Sequence, residues 1–130
     1  MNPDKTKTYR LGDLQHRIMK ILWAHGAAAV GAVHEELGGN AAFAYTTIAT
    51  MLRKMEARGL VKHREEGRSF IYSAKVREAA VSRSVTDQLV DRFFAGSLAD
   101  AVSHLLSTRE VSREELTRLE QLIAERKQKL

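Results

Sequence analysis

The chain has 130 residues, of which 44% are hydrophobic, so it can bury the core of one ordinary domain or of a small domain with a helical appendage. It contains no cysteine, which excludes disulfides, thiolate nucleophiles and thiolate metal sites and favours a reducing, intracellular setting. Its apolar runs are shorter than the roughly 18 residues that a membrane span needs, and its polar first residues, MNPDKTKTYR, are unlike a signal peptide. We therefore expect a soluble, cytoplasmic protein without membrane contact.

The positive charge is confined to the first part of the chain. Residues 1–75 carry 12 lysines and arginines against 7 aspartates and glutamates, whereas residues 76–130 carry 9 of each, which accounts for the net charge of +5. An excess in one segment indicates a surface that faces a polyanion, most commonly nucleic acid. The alternative is a basic face that only aids solubility.

Three helices are predicted before residue 60. Apolar residues recur at helical spacing over 12–25, 30–37 and 44–58, with only the small-residue connection AAA between the first two. Each helix is followed by glycine, a frequent C-terminal stop. The predicted buried residues of the third helix are Ile48, Met51, Leu52 and Met55.

The spacing of the apolar residues changes from helical to alternating in the segment LVKHREEGRSFIYS, residues 60–73. Residues typical of strands lie on both sides of Glu66-Gly67, which predicts a β-hairpin, although the turn is not the favoured Asn-Gly. Three helices followed by a basic hairpin are typical of a winged helix-turn-helix domain. The predicted fold is mostly α with a small β-hairpin wing, with the winged helix-turn-helix over 1–75 and a helical dimerisation region over 76–130.

The exposed side of the third helix is chemically unusual. Thr46, Ala49, Thr50 and Arg53 fall opposite the apolar residues on a helical wheel. Short hydroxyl side chains suit close approach to a major groove, because they can meet base edges, phosphates and thymine methyl groups. Thr47 and Tyr45 in the first turn are further candidate DNA-binding residues. The alternative is that the two threonines only begin the helix and that Tyr45 packs on the scaffold.

The hairpin supplies the candidate contacts to the DNA backbone. Arg68 is the first choice and Arg64 the second, because Glu65 and Glu66 in the same tip repel phosphate. Arg10, with Lys5 and Lys7, would add a basic arm near the N-terminus.

Residues 77–130 predict three amphipathic helices without site chemistry. Gly96 ends the first, Ser97 caps the second, and Ser112 with Glu115 has capping-box spacing at the start of the third. Helices of this kind are typical of an oligomerisation unit, the alternative being intramolecular packing onto the first domain. The predicted dimer interface comprises Val81, Val85, Leu89, Phe93, Phe94, Leu98, Val102, Leu105, Leu116, Leu119 and Ile123.

No pattern indicates catalysis, a cofactor or a metal. The five histidines are scattered without the spacing of metal ligands. Neither a glycine-rich phosphate loop nor a GxSxG elbow is present. We expect no enzyme activity, no cofactor and no metal site.

The segments RLGDLQHRIMKILWAHG, VGAVHEEL and AYTTIATMLRKMEARGLVKHREEGRSFIY resemble the penicillinase and methicillin-resistance repressor family, often called BlaI/MecI, which also includes copper-responsive repressors. The later DRFFAGS, at 91–97, agrees with that family. The resemblance implies a bacterial homodimeric repressor on a palindromic operator, with the 44–58 helix in the major groove and the C-terminal helices at the dimer interface. It places the groove-facing positions at Thr46, Thr47, Ala49 and Thr50, and the wing around Gly67 and Arg68.

The chain departs from the family in two respects. Copper-responsive members carry paired cysteines near the C-terminus, and this chain has none. Penicillinase repressors are cleaved at an Asn-Phe bond through a membrane sensor protease, but the comparable place here is His104-Leu105. A penicillinase-type sensor protease is therefore a candidate partner without its usual cleavage bond.

Two functions of different classes follow. The first is a sequence-specific DNA-binding repressor that acts as a homodimer. The alternative is a winged-helix protein interaction module whose basic surface binds an acidic partner.

Overall fold

The computed structural model describes residues 9–130, which contain six α-helices and three short strands. The elements, in chain order, are α1 (Asp13–His25), β1 (Ala28–Ala29), α2 (Val30–Glu36), a 3₁₀ turn (Gly39–Ala41), α3 (Tyr45–Ala57), β2 (Val61–Glu66), β3 (Ser69–Ala74), α4 (Glu78–Phe94), α5 (Leu98–Thr108) and α6 (Arg113–Gln128). The mostly helical fold with a small antiparallel sheet confirms the predicted class.

The hairpin is closed by a two-residue loop, Gly67-Arg68, between the paired residues Glu66 and Ser69. Gly67 has a φ of 62°. Such a positive value at the first loop position is what a type II′ turn requires, and glycine adopts it without strain. We call β2, β3 and this loop the wing.

A third strand was not predicted from the sequence. Ala28 pairs with Tyr72 and Ala29 with Ile71, so β1 adds to the other edge of β3 and the strand order is β1-β3-β2. The AAA segment was predicted as a connection, because alanine has no strand preference and only the pairing with β3 reveals the strand.

The chain divides into two compact units, Met1–Asp87 and Gln88–Leu130. The core of the first unit is built by α1, α2, α3, the sheet and the first turns of α4. Its fully buried side chains are Ile18, Met19, Leu22, Val33, Ile48, Leu52, Met55, Val61 and Tyr72.

The division falls later than the predicted boundary at residue 75, because α4 begins inside the first unit. Ala80 and Val81 are buried there, and the Tyr9 backbone N–H donates to Ser84 Oγ at 2.9 Å. The assignment of Val81 to the dimer interface is therefore wrong: Val81 is only 3% exposed and belongs to the core.

The second unit has well-defined helix starts but little buried surface. Ser97 Oγ accepts from the Asp100 N–H and Ser112 Oγ from the Glu115 N–H, both at 3.1 Å, as the capping patterns predicted. Within 88–130 the only buried residue is Ala101. Most large apolar side chains of this unit therefore remain accessible to solvent.

The turn between α4 and α5 holds the one non-glycine residue with positive φ in the described part of the chain, Ala95 at 50°. Because this conformation strains any side chain with a Cβ, we expect Ala95→Gly to raise the free energy of unfolding by up to about 1 kcal/mol. Urea unfolding at fixed protein concentration checks this as a higher midpoint with an unchanged slope. Ala124→Gly, in the exposed interior of α6, is the control and should lower the free energy of unfolding by about 1 kcal/mol. A loss in both variants would contradict the expectation.

Candidate nucleic-acid interface

The first turn of α3 is presented to solvent. Tyr45, Thr46 and Thr47 are exposed, while Ile48 is fully buried beneath them. Tyr45 remains 49% exposed, although the edge of its ring meets the ring of buried His34 at 5.7 Å between centroids. His34 Nε2 lies 2.8 Å from the Phe43 carbonyl oxygen, which fixes the turn that leads into α3. Tyr45 thus packs on the scaffold and still offers part of its surface.

Ala49 and Thr50 are half-buried rather than fully outward, which corrects the helical-wheel prediction for these two positions. Ala49 packs against the core cluster, because α3 approaches α2 and the sheet closely at that level. Arg53 is exposed, and its Nη2 donates to Thr50 Oγ1 at 3.2 Å. The Thr50 hydroxyl can therefore still donate its own proton to an acceptor outside the protein.

Two depressions adjoin α3. One of about 310 Å³ is lined by Thr46, Thr47, Thr50, Met51 and Lys54. The other, of about 230 Å³, lies between α3 and the wing. Its lining includes Tyr45, Ala49 and Arg53 from α3 and Arg68 and Phe70 from the wing. Residues of α3, which ends at Ala57, and of the wing, which begins at Val61, therefore meet around one cleft.

The two arginines of the wing differ in whether an acidic side chain pairs with them. Arg64 forms an ion pair with Glu66, with Nη2 2.8 Å from Oε2 and Nε donating to the same oxygen at 3.0 Å. Arg68 is exposed in the loop and forms no ion pair with any residue of 9–130. Its uncompensated charge makes Arg68 the better candidate for a phosphate contact.

The base of the wing carries a contact that sequence reasoning missed. His63 Nδ1 lies 2.7 and 2.8 Å from the two carboxylate oxygens of Glu56, which is on α3. Burial raises the pKa of the neighbouring Tyr72 phenol above its ordinary value, the Glu56 carboxylate raises it further, and the Arg53 guanidinium partly offsets both. No local signal could have found this cluster, because it depends on how α3 lies against the sheet.

The predicted N-terminal arm is described only in part. Arg10 is exposed, and its carbonyl oxygen accepts from Arg58 Nη2 at 2.6 Å, while Arg58 Nη1 donates to Gln15 Oε1 at 3.0 Å. Arg58 thus holds the start of the described chain to the end of α3. Lys5 and Lys7 lie outside the described residues.

The predicted interface residues of the C-terminal region, Val81 excepted, keep accessible surface. Those that are exposed are Val85, Leu89, Phe93, Leu98, Leu105, Leu116 and Ile123, and those that are half-buried are Phe94, Val102 and Leu119. Leu98, Val102, Leu106 and Ile123 also line a groove of about 690 Å³ between α5 and α6, which we call the apolar groove.

Residues 9–130 contain neither a candidate metal site nor a candidate membrane-spanning helix. No group of three or more histidine, aspartate or glutamate side chains could hold a metal ion there. No helix in this range has the length and apolar character to cross a membrane.

The fold and the cleft between α3 and the wing define a winged helix-turn-helix protein of the DNA-binding class. The model of the penicillinase repressor family matches residues 11–125, and the chain belongs to that family. The penicillinase repressor of Bacillus licheniformis is 29% identical over 121 residues, which cover 93% of this chain and 94% of that protein. The transcriptional regulator BlaI of Mycobacterium tuberculosis (strain ATCC 25618 / H37Rv) is 31% identical over 121 residues, covering 92% and 86%.

A solved structure supports the same family assignment as the sequence relatives. The solution structure of the DNA-binding domain of the repressor BlaI matches with a TM-score of 0.50 and 30% identity, over 57% of this chain and 90% of that chain. The family resemblance expected from the sequence is confirmed, and the family consists of transcriptional repressors rather than enzymes.

Proposed function

We propose that this chain is a DNA-binding transcriptional repressor that acts in the cytoplasm as a homodimer on a palindromic operator. In this proposal α3 enters the major groove and the wing lies on the sugar-phosphate backbone. The observation that supports this proposal most directly is the cleft that Tyr45, Ala49 and Arg53 share with Arg68, because it brings α3 and the exposed positive charge of the wing to one side of the domain.

The roles within the interface follow from exposure and chemistry. Thr46, Thr47 and Thr50 would meet base edges and thymine methyl groups, since the predicted outward positions of α3 between Tyr45 and Arg53 carry only these threonines and Ala49. Arg68 would contact phosphate, with Tyr45 and Arg10 as further backbone contacts and Arg64 as a weaker one because of Glu66.

Dimerisation is proposed from the exposed apolar residues of the second unit. The apolar groove lies between helices that bury only Ala101 within 88–130. A second copy that covered this surface would remove it from water and place two α3 helices on two half-sites. We also propose that cleavage of a penicillinase-sensor type does not act at His104-Leu105, because that bond lacks the expected Asn-Phe sequence.

Selection of bound duplexes from a random pool tests the function directly. We expect recovery of one inverted repeat, bound at least about a thousandfold more tightly than random duplex. Its log affinity should fall steeply with log salt concentration, by about 0.9 for each phosphate contacted. If all duplexes bound equally and weakly while an acidic protein partner bound tightly, the protein interaction function would replace the repressor.

A further inference from the structure

A hydrogen-bonded pair of side chains, Glu56 and His63, connects the wing to α3. His63 of β2 places Nδ1 within 2.8 Å of both oxygens of the Glu56 carboxylate, near the end of α3. A carboxylate only accepts, so Nδ1 carries a proton and donates to it. Both side chains are about one third exposed, at 30% for His63 and 32% for Glu56. The contact joins α3 to the wing through two residues that are seven positions apart in the sequence.

Ring packing extends this contact toward the tip of the wing. The His63 ring stacks on Phe70 at 4.4 Å between centroids, with 28° between planes, and meets the Tyr72 ring at 5.4 Å. Tyr72 is buried and pairs with His63 across the strands, whereas Phe70 lies two residues nearer the loop. The His63 ring therefore links the buried base of the hairpin to its exposed outer part.

Beyond this point burial does not hold the wing in place. Every residue from Arg64 to Phe70 is exposed, and the cross-strand pairs fix only the shape of the hairpin. The direction in which the hairpin projects from the domain depends on contacts at its base. The Glu56–His63 pair is the contact there that reaches α3 through polar atoms.

We propose that Glu56 is a positioning residue for DNA binding: through His63 it holds the wing at the angle from which Arg68 reaches the DNA backbone. This inference rests on the proposed function, since it requires that Arg68 contact phosphate. In this proposal Glu56 is an acidic residue that favours DNA binding without contacting the DNA. An ordered wing spares the complex the entropy cost of fixing a mobile one.

The negative charge of Glu56 distinguishes a positioning role from a direct effect of its charge on the DNA phosphates. A carboxylate near the interface repels phosphate, so its removal should strengthen binding if charge alone matters. If Glu56 positions the wing, its removal should weaken binding instead. The two explanations therefore predict opposite signs for Glu56→Ala.

The experiment uses the full chain and the inverted repeat recovered by selection, with affinity measured by fluorescence anisotropy at several salt concentrations. We expect Glu56→Ala to weaken binding about three- to tenfold, as for loss of preorganisation, and to lower the salt slope by about 0.9, the value for one phosphate contact. Glu56→Gln keeps an oxygen that accepts from His63 and should bind at least as tightly as the natural chain. Glu65→Ala is the matched control, because Glu65 is an exposed carboxylate of the same wing without an ion pair in residues 9–130, and it should not weaken binding.

A double-mutant cycle with Arg68→Ala separates the possible failures. We expect Glu56→Ala to cause no further loss of affinity or of salt slope once Arg68 is absent. If Arg68→Ala weakens binding but Glu56→Ala does not, the inference is overturned and the proposed function stands. If Arg68→Ala changes nothing, the phosphate contact itself is wrong and the inference falls with it. Should Glu56→Ala not fold, a Glu56→Gln variant that loses both affinity and salt slope would equally overturn the proposal.

Discussion

Replacing Ile123 by glutamate is expected to lower affinity for the inverted repeat by at least about a hundredfold, the scale at which linking two binding modules raises affinity. Ile123 is 55% exposed and lines the apolar groove with Leu98, Val102 and Leu106. A carboxylate buried there by a second copy would lose its hydration without gaining a partner, so the dimer would dissociate. Sedimentation equilibrium measures the dissociation, and gel-shift titration measures the affinity.

Binding to a single half-site separates this effect from damage to the DNA-binding unit. The affinity of Ile123→Glu for a half-site duplex should equal that of the natural chain, because its α3 and wing are unchanged. Gln121→Glu adds the same charge to an exposed position of α6 that does not line the apolar groove, and it should remain dimeric. A dimeric Ile123→Glu protein with full affinity would mean that dimerisation uses another surface.

The elements that were predictable from the sequence are those that local physics determines. The apolar period located α3 because Ile48, Leu52 and Met55 fall on one side of a helix whatever they pack against. Ser97 and Ser112 located two helix starts because a cap satisfies backbone groups within the same turn. The boundaries of α1 and α3 consequently lie within a residue or two of those predicted.

The features that were missed depend on how separate elements pack together. β1 exists because Ala28 and Ala29 pair with β3, and two alanines carry no strand signal of their own. Val81 fits an amphipathic stripe equally well in a dimer interface or in the first unit, and only the packing of α4 decides. The Glu56–His63 pair likewise needs α3 and β2 to be placed before it can be recognised.

The candidate DNA interface was mostly predictable because it consists of exposed residues on predicted elements. Thr46 and Arg53 are exposed, as the helical wheel predicted, whereas Ala49 and Thr50 are partly covered by neighbouring elements. Arg68 was ranked above Arg64 as a phosphate contact because Glu65 and Glu66 lie in the same hairpin tip. The Arg64–Glu66 ion pair now supplies a specific physical reason for this ranking.

Thr50→Val and Arg68→Ala are expected to affect DNA binding in different ways. Valine keeps the shape and a methyl group of threonine but removes the hydroxyl, so Thr50→Val should lose discrimination at one base pair, by about 1–3 kcal/mol if a base contact is lost. Arg68→Ala removes a phosphate contact, so it should weaken binding to every duplex alike and reduce the salt slope by about 0.9. Affinities for the inverted repeat and for its single-base-pair variants, measured at several salt concentrations, distinguish the two results.

The hydrogen bond from Arg53 Nη2 to Thr50 Oγ1 requires one further control. Thr50→Val also releases Arg53, so a loss of discrimination could arise from either side chain. Thr50→Ser keeps an oxygen that accepts from Arg53 and a proton to donate, and it should retain most of the discrimination, whereas Arg53→Ala should reproduce the loss only if Arg53 reads the base. Equal losses from Thr50→Val and Arg68→Ala on all sequences would contradict the division between a base-reading helix and a phosphate-binding wing.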